Sequence, residues 1–160
     1  MKHTLSVLVE NKPGVLARIS GLFARRGFNI QSLAVGVTDD PKLSRVTLVI
    51  DEDDAMVEQI TKQLHKLIPV FKVLDLADRE HIARELALFK VSAPATRRNE
   101  IIEIVNLFRG SIVDVGKSTL IVSVTGDGEK IAAMEDLLRS YGIKETARTG
   151  EIALARGARD

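Results

Sequence analysis

Asn11, Pro13 and Gly14 stand between an alternating apolar stretch and a run with helical spacing. They are the residues of this sequence best placed to bind a small charged ligand. A helix N-terminus leaves backbone N–H groups without partners and carries about +0.5 of a charge, so it attracts a carboxylate. Gly14 has no side chain to block an approaching group, and the Asn11 amide oxygen can accept a hydrogen bond from an ammonium. Asn29, just past the same helix, supplies a second amide, with Val15, Ile30 and Leu33 as candidate apolar lining. Together these suit the two charged ends and the side chain of a free amino acid. The same residues also have a plain structural use. Asn11 is then the helix N-cap, Pro13 sits in its first turn, Pro13-Gly14 is only a turn, and Asn29 tolerates a turn backbone. Spacing alone leaves both readings open.

Other chemistry is sparse. His3, His65 and His81 share no metal-ligand spacing and read as surface residues. Gly126-x-Gly128 lacks a third glycine and the strand-to-helix context of a dinucleotide site, so a plain turn is as good a reading as a ligand loop. Asp51-Glu52-Asp53-Asp54 could ligate a divalent cation, but it also suits the capping and charging of a helix start. Arg25-Arg26 and Arg97-Arg98 are isolated pairs that read as solvated. No nucleophile elbow, phosphate loop or Ser/His/Asp order is present. With no cysteine or tryptophan and one tyrosine, there is little from which to assemble a catalytic centre.

Composition sets the class. The chain has 160 residues, 45% hydrophobic and 28% charged, with a formal net charge of +1. With charges that nearly cancel, nothing suggests a nucleic-acid or anionic-membrane partner, which would need a basic face. The absence of cysteine removes disulfides and thiolate chemistry. Met1-Lys2-His3 leads directly into a strand pattern without a signal-peptide core, and no apolar run approaches the roughly 20 residues of a membrane helix. A soluble, cytoplasmic protein is expected.

The elements that must position these residues follow from periodicity. Leu5, Val7 and Val9 alternate with polar neighbours, so residues 3–10 read as a strand. Val15, Leu16, Ile19, Leu22 and Phe23 share one helical face, and Gly27 ends that helix. From Phe28 to Val37 the pattern is strand-like, but its parity slips, which predicts a bulge near Gln31-Ser32. A turn at 38–42, a strand through Val46, Leu48 and Ile50, a helix from Asp53-Asp54 to before Pro69, and a strand at 70–77 complete βαββαβ. Residues 84–92, a helix through Ile101 to Phe108, strands at 111–115 and 119–125, a helix from Ile131 to Tyr141 and extended structure at 143–156 repeat that order. The fold class is therefore α+β, with two ferredoxin-like βαββαβ domains of antiparallel sheet with helices on one face. The boundaries are 1–77 for the first domain, 78–82 for the linker and 83–160 for the second.

Residues Leu5-Ser6-Val7-Leu8-Val9-Glu10-Asn11-Lys12-Pro13-Gly14-Val15-Leu16 resemble the opening of an ACT domain, a small amino-acid-sensing module. Arg26-Gly27-Phe28-Asn29-Ile30-Gln31-Ser32-Leu33, Thr38-Asp39-Asp40-Pro41 and Leu43-Ser44-Arg45 are similar to the regulatory small subunit of acetolactate synthase. Gln63-Leu64-His65-Lys66-Leu67, the stretch Phe108 to Val115 and Arg148-Thr149-Gly150 extend the match along nearly the whole chain. The resemblance implies a non-catalytic subunit of branched-chain amino-acid biosynthesis that binds valine at an ACT–ACT homodimer interface. Such a subunit enhances a separate catalytic large subunit and makes it sensitive to end product. Thiamine diphosphate, magnesium and FAD are then expected on the catalytic chain, with no cofactor here. Asn11, Gly14 and Val15 match the helix-start side of the effector site. Asn29 and Ile30 match the strand-two side, contributed by the neighbouring copy. The competing readings are an ACT sensor acting on another enzyme or transcription factor, and a small stand-alone transferase built on the ferredoxin-like sheet.

Overall fold

Alternation along the first strand decides which side of the first sheet becomes core. In the computed structural model, which describes residues 1–157, β1 (Lys2–Glu10) buries Leu5, Val7 and Val9. α1 (Val15–Arg26) meets them with Val15, Ile19, Leu22 and Phe23, and α2 (Asp54–His65) with Val57, Ile60 and Leu64. β2 (Ile30–Val37), β3 (Leu43–Asp51) and β4 (Val70–Asp75) complete an antiparallel sheet of order β2-β3-β1-β4. Both helices share one core with that sheet. The β2–β3 register shifts between Ile30 and Ser32, where the parity slip predicts a bulge.

The second unit repeats the order with β5 (His81–Ser92), α3 (Arg98–Leu107), β6 (Ser111–Val115), β7 (Thr119–Gly126), α4 (Gly128–Arg139) and β8 (Ile143–Arg148). Its sheet runs β6-β7-β5-β8. Phe89, Val91, Ile101, Val105, Val122, Ile131 and Met134 form a separate core. The ammonium of Lys90 meets the Glu145 carboxylate at 2.7 Å across β5 and β8. That hydrogen bond and the opposite charge hold the Lys90 pKa up and the Glu145 pKa down.

The division of the chain differs from the sequence-based boundary at both ends. Residues 83–149 form one compact unit, whereas 1–82 and the stretch from Gly150 form the other. The linker shortens because β5 already begins at His81. The end of the expected second domain instead returns to the first. The Glu151 N–H donates to Ser32 Oγ at 2.8 Å, the Arg156 N–H donates to the Glu80 carbonyl at 2.9 Å, and β9 (Ile152–Ala155) lies against β1. Gly150 permits this approach, since a Cβ there would overlap the Leu33 carbonyl.

Two local expectations resolve cleanly. The acidic run caps a helix: Asp53 accepts the Met56 N–H at 2.8 Å, and Asp54 opens the first turn of α2. Asp53→Ala is expected to lower the free energy of unfolding by about 1 kcal/mol, read by denaturant titration; no change would mean solvent replaces the cap. His3, by contrast, is not a surface residue. It shares the parity of Leu5 and Val7, is buried, and lies between Asp75 Oδ2 (Nδ1, 2.8 Å) and Asp54 Oδ1 (Nε2, 3.1 Å).

Candidate functional site

The β1–α1 loop differs from the expected cap. α1 is entered through Gly14, at φ 85° and ψ −9°, with no side chain bonded to its first N–H groups and no acidic residue in its first turn. Asn11 does not cap the helix, and Pro13 precedes it rather than lying in its first turn. Instead Asn11 is drawn across to the β2–β3 turn. Its backbone N–H donates to the Lys42 carbonyl at 2.8 Å and its side-chain Nδ2 to the Pro41 carbonyl at 3.0 Å. An ideal Cβ on Gly14 would meet nothing within 4 Å, so the space in front of the α1 N-terminus is open. α2 and α4 are different, because Asp53 and Asp127 occupy their first N–H groups.

The five candidate residues do not converge within one chain. Asn11, Gly14 and Val15 lie at the start of α1, whereas Asn29 and Ile30 follow its end. A helix of 12 residues is about 18 Å long at about 1.5 Å per residue, too far for one amino acid to span. The Val15 side chain belongs to the core, and Ile30 packs against that core, so both face inward. Asn29 is exposed. β2 is the edge of its sheet and leaves Leu33, Val35 and Val37 exposed.

Other motifs take structural positions. Gly126-Asp127-Gly128 joins β7 to α4, as the strand and helix patterns on either side of it predict, and Asp127 accepts the Lys130 N–H at 2.9 Å, so the first N–H groups of α4 are already capped. Arg97 and Arg98 are not simply solvated. The Arg97 guanidinium lies 4.2 Å from the Tyr141 ring centroid, while Arg98 donates to the carbonyls of Ala93, Gly116 and Lys117. Among the described residues, no group of three or more His, Asp or Glu side chains could hold a metal ion. No helix among them is long and apolar enough to cross a membrane. The bonds of Asn11 and Arg98 were not legible in the local pattern, since each reaches a turn distant in sequence. The alternation of β1 did carry a signal for His3.

Comparison with known proteins assigns both halves. Residues 5–72 match the family described as the AHAS small subunit-like ACT domain, and residues 84–157 match the family described as the small subunit of acetolactate synthase. The chain is 56% identical over 157 residues to a protein of Archaeoglobus fulgidus named "Probable acetolactate synthase small subunit", covering 98% of each. It is 55% identical to the acetolactate synthase small subunit of Mycolicibacterium smegmatis, covering 98% of this chain and 92% of that one. The crystal structure of the acetolactate synthase small subunit from Thermotoga maritima superimposes with a TM-score of 0.91 at 41% identity, over 99% of each chain.

Proposed function

Because the chain belongs to the family of acetolactate synthase small subunits, we propose that its ACT domain binds valine between two copies of the chain and makes the catalytic large subunit responsive to that end product. A regulatory small subunit implies such a catalytic partner. The observation that carries the reading is the placement of the candidate residues at opposite ends of α1. A two-fold axis that sets α1 and β2 of two copies antiparallel brings the Gly14 end of one helix to the Asn29 end of the other. The exposed edge of β2, with Leu33, Val35 and Val37, suits pairing with its own copy.

Valine then spans the seam. Its carboxylate takes the N–H groups at the start of α1, which no side chain caps, displacing the long 3.5 Å bond from the Val15 N–H to the Lys12 carbonyl, where the helix dipole favours negative charge. Its ammonium takes the Asn11 amide oxygen, and Asn29 and the backbone at Ile30 close the site from the second copy. Valine regulates the holoenzyme only if it binds one state of the assembly better than another, and large-subunit binding must change valine affinity by the same factor. The chain itself has no turnover on this reading. It works in the cytoplasm beside the catalytic chain, which carries thiamine diphosphate, magnesium and FAD. The first unit, residues 1–82 with the returning segment, is the sensor.

Calorimetric titration of the purified chain with valine, leucine and isoleucine, with and without the large subunit, tests the proposal. Valine binding by the chain and valine inhibition of the reconstituted holoenzyme are expected; a chain blind to all three would end it. Asn29→Ala should weaken valine binding about tenfold without unfolding the domain, the scale of a hydrogen bond to a charged group. Unchanged affinity would leave Asn29 as a turn former only.

A further inference from the structure

We infer that the β2–β3 turn orients Asn11 for the effector's ammonium, with Thr38 and Pro41 as positioning residues; the inference rests on the valine site proposed above. The Pro41 carbonyl can only accept, so the bond at 3.0 Å fixes the NH₂ end of the Asn11 amide toward the turn. The two ends of a planar amide diverge, and Oδ1 is therefore directed away from that carbonyl. Without the bond the amide is free to rotate by half a turn, which would offer two N–H donors to an ammonium that has donors only. The turn thus selects the attractive end of Asn11.

The turn is built to hold that carbonyl still. Thr38 Oγ1 accepts the Asp40 N–H at 3.2 Å and lies within donating distance of the carbonyls of Asp40 (3.0 Å) and Leu43 (3.1 Å). Asp40 Oδ1 accepts the Lys42 N–H at 3.0 Å, and backbone bonds from Thr38 to Leu43 (2.9 Å) and from Leu43 to Asp40 (2.9 Å) close the loop. The Asn11 backbone N–H is joined to the same turn through the Lys42 carbonyl.

The second unit supplies an internal comparison. There the Ala93 N–H donates to the Ser118 carbonyl at 2.8 Å, as Asn11 does to Lys42. The preceding carbonyl, Lys117, receives Arg98 Nη2 at 3.1 Å in place of an asparagine amide. A guanidinium ties loop to turn equally well but has no acceptor atom to offer an ammonium. The same joint is thus closed in the second unit, and in the first it leaves one oxygen for a ligand.

The test uses the full chain and two probes: valine, and 3-methylbutanoate, which keeps valine's carbon skeleton and carboxylate but has no amine. Affinities by calorimetry, or by NMR competition for the weaker ligand, give the preference for the amine. Asn11→Ala should reduce that preference about tenfold, and Thr38→Val about three- to fivefold by the partial loss of the same bond. The double variant should be no worse than Asn11→Ala alone, and Thr38→Ser should restore the preference. Asp40→Ala, which removes the Lys42 acceptor, should act in the same direction as Thr38→Val. A merely structural role for the turn would weaken both ligands alike and leave the preference unchanged, overturning the inference, as would full additivity with Asn11→Ala. Wild-type chain that fails to bind valine would be a different result and would overturn the site itself.

Discussion

Gly14→Asp is expected to remove valine inhibition from the reconstituted holoenzyme, with valine affinity of the chain falling about a hundredfold, while the chain still folds and still enhances its large subunit. The new carboxylate stands where the ligand's carboxylate should sit. It competes for the same N–H groups of α1 and repels the incoming anion. Two interactions of about 1.5 kcal/mol each, a charged hydrogen bond lost and a like charge gained, suffice for that factor. Folding should survive because the Cβ at this position meets nothing within 4 Å. The φ of 85° adds strain of about 1 kcal/mol, and aspartate tolerates the left-handed region better than most residues. Gly14→Ala shares the backbone penalty without the charge and should keep most of the valine response. Calorimetry and inhibition curves on both variants decide the matter. Full sensitivity in Gly14→Asp would move the carboxylate site elsewhere, and equal loss in both variants would leave only a steric argument.

Phe23→Ala carries the largest expected effect on stability, about 3–5 kcal/mol, the usual cost of emptying a buried aromatic site. Phe23 is only 1% exposed and meets Phe28 edge to face, with ring centroids 6.1 Å apart. Phe28 directly precedes Asn29, so the cavity should also loosen the strand-two half of the proposed site and weaken valine binding. The two core clusters are separate, which makes the loss local. Tyr141 is the sole tyrosine, there is no tryptophan, and it packs against the second core. Its fluorescence during thermal unfolding therefore reports that unit. In Phe23→Ala the Tyr141 transition should stay in place while the far-ultraviolet circular dichroism transition splits and moves down. An equal shift of both signals would mean that the units unfold as one block.

The elements were legible because each depends on its own neighbours in sequence. Alternation at Leu5, Val7 and Val9 and the three- and four-residue spacing of Val57, Ile60 and Leu64 place strand and helix, and one slip of parity locates the bulge between Ile30 and Ser32. What escaped depends on distant partners. Asn11 looks like a cap until the Pro41 carbonyl, thirty positions away, claims its amide. Arg98 looks solvated until three carbonyls from two loops converge on it. His3 was read as exposed by residue type, although its parity already placed it with the core residues of β1. The candidate site suffered most, since its two halves sit at opposite ends of one helix and, in the arrangement proposed, only a second copy would join them. No periodicity within a single chain can express that.

The return of residues 150–157 to the first unit also constrains how the protein is made. Synthesis is vectorial, so the first four strands and two helices emerge and can collapse long before Gly150 leaves the ribosome. During the interval in which the entire second unit is translated, Ser32 and the neighbouring backbone of β2 lack the segment that finally rests on them. A nascent chain in that state carries an incompletely dressed edge strand, and it meets other nascent copies on the same polysome. Pairing between such copies would then be timed by translation, and the residues from Gly150 onward would act as the closing stitch.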